Sequence, residues 1–107
     1  MAGDRLQQLS GKFLLRTRDE LALLRAQLVP ARSGDATALA ELLRLTHRIN
    51  GSGAMLGFVD ISGRARQIEA ILRRAEPMPS EAGWQAIEEH LQQIETELAK
   101  LPPQVDE

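Results

Sequence analysis

Apolar positions recur at helical spacing along most of the chain. From Gly11 to Val29 they fall at Leu14, Leu21, Leu24 and Leu28, with Thr17 completing a three-and-four spacing. Successive helical residues turn by about 100°, so these side chains share one face. Pro30 should end this first helix, because proline lacks the N–H that the ladder needs. Ser33-Gly34-Asp35 reads as a turn, with Ser33 or Asp35 as the N-cap of a second helix. That helix lines up Leu39, Leu42, Thr46, Ile49, Gly53 and Leu56. Gly57 is its expected stop and Asp60 the expected cap of a third helix, which carries Ile61, Ala65, Ile68, Leu72 and Ala75. Pro77 and Pro79 break that helix. Ser80 caps a fourth, with the cleanest seam of all: Trp84, Ile87, Leu91, Ile94, Leu98 and Leu101.

Four amphipathic helices with short connections predict an all-α fold, an antiparallel up-down four-helix bundle. The bundle is expected over about residues 11–101 of one 1–107 domain, with the tail 102–107 frayed. The pattern also allows a short extra helix over residues 4–9.

One segment departs from an ordinary helix surface: THRINGSGAMLGF, Thr46 to Phe58. Gly51 and Gly53 follow His47 within two turns, and each costs a helix about 1 kcal/mol relative to alanine. His47 lies about 130° from the centre of the apolar face, on the outward side. Its surface neighbours are Leu43, Arg44, Asn50, Gly51 and Ala54, mostly small or apolar where a solvated face carries Glu, Lys or Gln. Gly53 points inward and reads as packing. Gly51 leaves the space beside the imidazole bare, so that another macromolecule can bring a reactive group to His47.

Composition narrows the chemistry. The chain has 107 residues, 43% hydrophobic but only 3% aromatic, which favours helices over a β-sandwich. Its net charge of −2 offers no nucleic-acid footprint. Absence of cysteine excludes disulfides, thiolate chemistry and Cys-based zinc sites. The N-terminal stretch has neither a secretory pattern nor a span, so a cytoplasmic protein without membrane contact is expected. No metal site is expected either, since His47 has no Asp, Glu or His three or four residues away. His90 reads as a boundary residue of the last helix. Met55, Met78 and Trp84 read as packing. The arginines at 16, 18, 64, 66, 73 and 74 read as dispersed and mostly solvated, with Arg64 or Arg66 available to an acidic partner. There is no Walker or Gly-rich nucleotide loop.

The string His47-Arg-Ile-Asn-Gly51-Ser-Gly-Ala-Met-Leu-Gly57 resembles the signature of histidine-containing phosphotransfer (HPt) domains, in which a histidine is followed by a lysine, a glycine and a further glycine. Here His47, Gly51 and Gly57 match, with Ile49 and Leu56 as the hydrophobic positions. The family's lysine is Asn50, which brings no charge; Arg44 is the better placed substitute and Arg48 the other. Glu69, 22 residues after His47, stands where the family often has Gln or Glu. The resemblance implies a phosphocarrier rather than a free-standing enzyme. His47 would take the phosphoryl group, Glu69 would orient the imidazole, and Leu43, Arg44, Arg48, Asn50, Gly51 and Ala54 would form the phosphoryl and partner surface. It implies a response-regulator receiver domain or a hybrid sensor histidine kinase as partner, and no cofactor in this chain, with Mg²⁺ on the receiver. A monomer is expected. Two other readings stay open: a receiver-binding module without transfer, and a helical oligomerisation domain built on the Gly51/Gly53 surface.

Overall fold

A computed structural model describes the backbone of residues 2–75 and 78–101, and the side chains of 8–75 and 78–101. It holds four helices: α1 (Ala2–Arg32), α2 (Ala36–Leu56), α3 (Val59–Arg74) and α4 (Glu81–Ala99). The expected tail at 102–107, and Pro77, lie outside the described residues.

Each helix packs on the one before it, and α4 closes back onto α1. Side-chain pairs give the direction of two of these neighbouring pairs, and the short connections turn the chain back between the others. Arg25 of α1 meets Glu88 and Glu95 of α4, while the later Arg32 meets the earlier Glu81. Likewise His47 meets Glu69 and the later Asn50 meets the earlier Ser62. Neighbours therefore run antiparallel, as expected. The buried seam includes Leu24, Leu42, Ile49, Ile68, Ile87, Leu91 and Ile94, all at the positions that the spacing put inside. Burial of such side chains stabilises by roughly 1.5–3 kcal/mol each.

Two expectations about α1 are corrected. The segment at 4–9 is no separate helix but the start of α1, because nothing between it and Gly11 breaks the ladder. Pro30 does not end the helix; it lies inside it. There it forfeits one ladder bond, its own to the carbonyl of Ala26, and the helix runs on past it to Arg32. The stop comes from Gly34, in the left-handed region at φ 94°. There the Asp35 N–H donates to the Pro30 carbonyl at 3.1 Å and the Gly34 N–H to that of Ala31 at 3.0 Å, satisfying carbonyls the helix leaves open. At 31 residues α1 is about 46 Å long, against about 31 Å for α2, so it outreaches its neighbours.

The other boundaries reflect local chemistry. Asp35, not Ser33, caps α2, accepting from the Ala38 N–H at 3.1 Å. Ser80 caps α4 through the Gly83 N–H at 3.2 Å. Asp60 does not cap α3: that place falls to Phe58, whose ring stacks on Phe13 of α1 with centroids 5.1 Å apart. Asp60 sits within the first turn, where a carboxylate complements the helix's positive end.

Gly57 ends α2 at φ 85°, with the Phe58 N–H returning to the Gly53 carbonyl at 2.8 Å. A Cβ on Gly57 would touch nothing, so Gly57→Ala carries only the backbone penalty. We expect a loss of about 1 kcal/mol in chemical denaturation. Unchanged stability would mean that the turn relaxes without glycine.

Candidate functional site

The site lies midway along α2, on its outer surface facing α3. Helical phase places Ala40 and Ala54 within about 20° of His47, two turns before and after it. Gly51 lies about 40° to one side and Leu43 about 40° to the other. Ala40, Ala54 and Gly51 line its surroundings, all three exposed. A Cβ on Gly51 would meet nothing within 4 Å, so the space beside His47 is open. A Cβ on Gly53 would press on Ser62 at 3.3 Å and Phe13 at 3.5 Å, so that glycine is there for close packing. Met55 corrects an expectation: it is 85% exposed, not packed, and extends the apolar surface of α2 beyond Ala54. Beside Leu43 a shallow cleft of about 140 Å³ is lined by Leu39, Ala40, Leu72, Met78 and Pro79.

The His47 side chain is 69% exposed, yet one ring nitrogen is fixed. Its Nδ1 lies 2.9 Å from Oε2 of Glu69, a buried residue of α3. The same oxygen accepts from Arg73, one turn further along α3, through Nε at 2.9 Å, with Nη2 in ion-pair contact at 2.8 Å. Burial pushes the Glu69 pKa up, but the hydrogen bonds from Arg73 and His47 outweigh it and hold the carboxyl below its ordinary 4.5. An ionised carboxylate can only accept. Nδ1 therefore carries a proton, and in the neutral ring Nε2 is the nitrogen left with the lone pair.

His90 is built the other way. Arg64 Nη1 lies 3.2 Å from its Nδ1, and a guanidinium can only donate. Nδ1 must therefore be the lone-pair nitrogen, already engaged, and Nε2 the protonated one. Burial and the Arg64 charge lower the His90 pKa from its ordinary 6.5. Arg64→Ala should raise the NMR titration midpoint of His90 part of the way to that value. An unmoved midpoint would leave burial as the sole cause.

The remaining cations near His47 are committed. Arg44 pairs with Glu41 on its own helix, with Nε at 3.0 Å. Arg48 reaches across to buried Glu20 of α1 at 3.2 Å, where Arg16 also approaches at 3.4 Å. Asn50 turns toward α3, where its Oδ1 accepts from the Ser62 hydroxyl at 2.8 Å. The same hydroxyl lies 3.0 Å from the Asn50 carbonyl oxygen. Among the described residues no group of three or more His, Cys, Asp or Glu is arranged to hold a metal ion.

Compared with known families, the chain matches the family model of the Hpt domain over residues 8–101. The chain belongs to the Hpt domain family. Comparison with curated proteins and with solved structures gives no match. Hpt domains carry phosphoryl groups on a histidine within phosphorelays, have no kinase ATP site, and interact with receiver domains and kinases. No helix among the described residues is long and apolar enough to cross a membrane.

Within this Hpt domain the sequence-derived residues Leu43, His47, Gly51 and Ala54 share one surface, and Glu69 joins them from α3. Arg44 and Arg48 flank that surface but face their own carboxylates. Sequence reasoning missed Arg73, which it left among the solvated arginines. The signal was present, since Glu69 and Arg73 are four residues apart with the glutamate first, the favourable order for a helical ion pair.

Proposed function

We propose that His47 is the phosphoryl-accepting residue of this Hpt domain. The observation that carries the reading is the contrast between its two histidines. Only His47 combines an exposed ring, a proton held on Nδ1 and a free Nε2 lone pair. In the proposed step the Nε2 lone pair attacks the phosphorus of a receiver's aspartyl phosphate. The N–P bond forms as the P–O bond to the aspartate breaks, and the carboxylate leaves with the electron pair. The ring becomes cationic, and Glu69 stabilises that charge from Nδ1. The reverse step returns the group to another receiver aspartate. In this reading Mg²⁺ and the aspartates belong to the receiver, and this chain supplies the nucleophile and the docking surface.

Leu43, Gly51 and Ala54 would form the floor on which the receiver sits, with Arg44, Arg48 and Asn50 at its edges. A monomer leaves that floor free, and a cytoplasmic setting is where phosphoryl donors made from ATP are found. The test is direct. A receiver domain charged on its aspartate is mixed with the protein and Mg²⁺, and the label is followed. We expect it to move to this chain. A receiver that binds but keeps its label would make the protein a binding module instead.

A further inference from the structure

The site has a cation problem. Phosphorylation brings negative charge to an imidazole that already leans on a buried carboxylate. Position 50 supplies no positive charge, Arg44 faces Glu41, and Arg48 faces Glu20. Arg73 is the guanidinium bonded within the His47–Glu69 pair itself. It and His47 donate to one and the same oxygen of Glu69, so guanidinium and imidazole lie within two hydrogen-bond lengths of each other.

We propose that Arg73 is the positioning residue of the His47 site, acting through Glu69, an inference that rests on His47 being the phosphoryl acceptor. Arg73 does two things. Its Nε–H bond and the adjoining ion-pair contact fix the direction of the Glu69 carboxylate, which otherwise has a free rotation at its end. Its charge keeps that buried carboxylate ionised, so that Oε2 goes on accepting from Nδ1–H as the phosphoryl group arrives. The cation thus comes from α3, one turn beyond the glutamate, and not from α2, three residues beyond the histidine. The Arg73 side chain is 56% exposed, so its removal leaves no cavity.

Arg73→Gln, Arg73→Lys and Arg74→Gln are compared with wild type. The first readout is ¹⁵N NMR of the uncharged protein, which reports the His47 tautomer and requires no transfer. Arg73→Gln should lose the strong preference for Nδ1–H, while Arg74→Gln keeps it. The second is the rate of transfer from a charged receiver domain across pH. Arg73→Gln should be slower by roughly tenfold, corresponding to about 1.4 kcal/mol. Its acid limb should move to higher pH, because the opposition of Arg73 to the burial of Glu69 is gone. Arg73→Lys should recover much of both. A tautomer and pH profile unchanged in Arg73→Gln would overturn the proposal while leaving His47 as acceptor. Wild-type protein that takes no phosphate at His47 would instead remove the reading beneath it, whatever the NMR shows.

Discussion

His47→Gln should fold like the wild type and accept no phosphoryl group. The ring is exposed, and the substitution chiefly removes its hydrogen bond to Glu69; a glutamine amide has N–H donors of its own to offer that carboxylate. Stability should change by under about 0.5 kcal/mol. Chemistry, in contrast, loses its nucleophile outright, since an amide nitrogen has no basic lone pair. No neighbour replaces it. His90 has its lone pair occupied by Arg64 and sits on another helix pair. The measurements are thermal unfolding and label transfer from a charged receiver, on the same preparations. Transfer persisting in His47→Gln would move the acceptor elsewhere.

Gly51→Leu should separate docking from chemistry. An added Cβ meets nothing in the isolated molecule, so the fold accepts it. Leucine is the better helix former by somewhat under 1 kcal/mol, and the variant should unfold at a temperature equal to or a few degrees above the wild type. A receiver approaching Nε2 meets a different surface. The new side chain stands about 40° around the helix and one turn along from His47, where the wild type is bare. We expect transfer from a receiver to slow by at least roughly tenfold, which corresponds to about 1.4 kcal/mol of hindered approach. Charging by a small acyl phosphate should be nearly unaffected, since a small donor needs no wide floor. Equal receiver rates in both proteins would show that partners approach from another side.

Much of the fold was legible because helical spacing is a local signal. The seams of α2 and α4, the caps at Asp35 and Ser80, and the left-handed stop at Gly57 all arise from residues near one another in the chain. The failures were of a different kind. Pro30 reads as a breaker by its chemistry, yet it removes only its own bond back to Ala26, and α1 continues to Arg32. Phe58 displaced Asp60 as the start of α3 because it stacks on Phe13, a contact with a helix far away in sequence. Met55 looked like core material, yet its phase on α2 keeps it outside.

The site divides along the same line. The outward direction of His47 and the bareness at Gly51 are properties of one helix and could be read from it. That Glu69 meets Nδ1 depends on the register between α2 and α3, which spacing within either helix does not contain. The resemblance to a known family pointed to Glu69, and the geometry brings the two together at 2.9 Å. No such pointer existed for Arg73. Its pairing with Glu69 is local, but its meaning comes from Glu69 being buried against His47. Asn50 shows the same limit, because Ser62 draws it toward α3.

The most direct test is to find the phosphate. Protein charged by a receiver domain is divided between acid and alkali, then digested and mapped. A phosphoramidate on Nε2 of His47 is predicted, destroyed in acid and kept in alkali, with no label on His90. Label that survives acid, or that maps to His90 or to any other residue, would contradict the account.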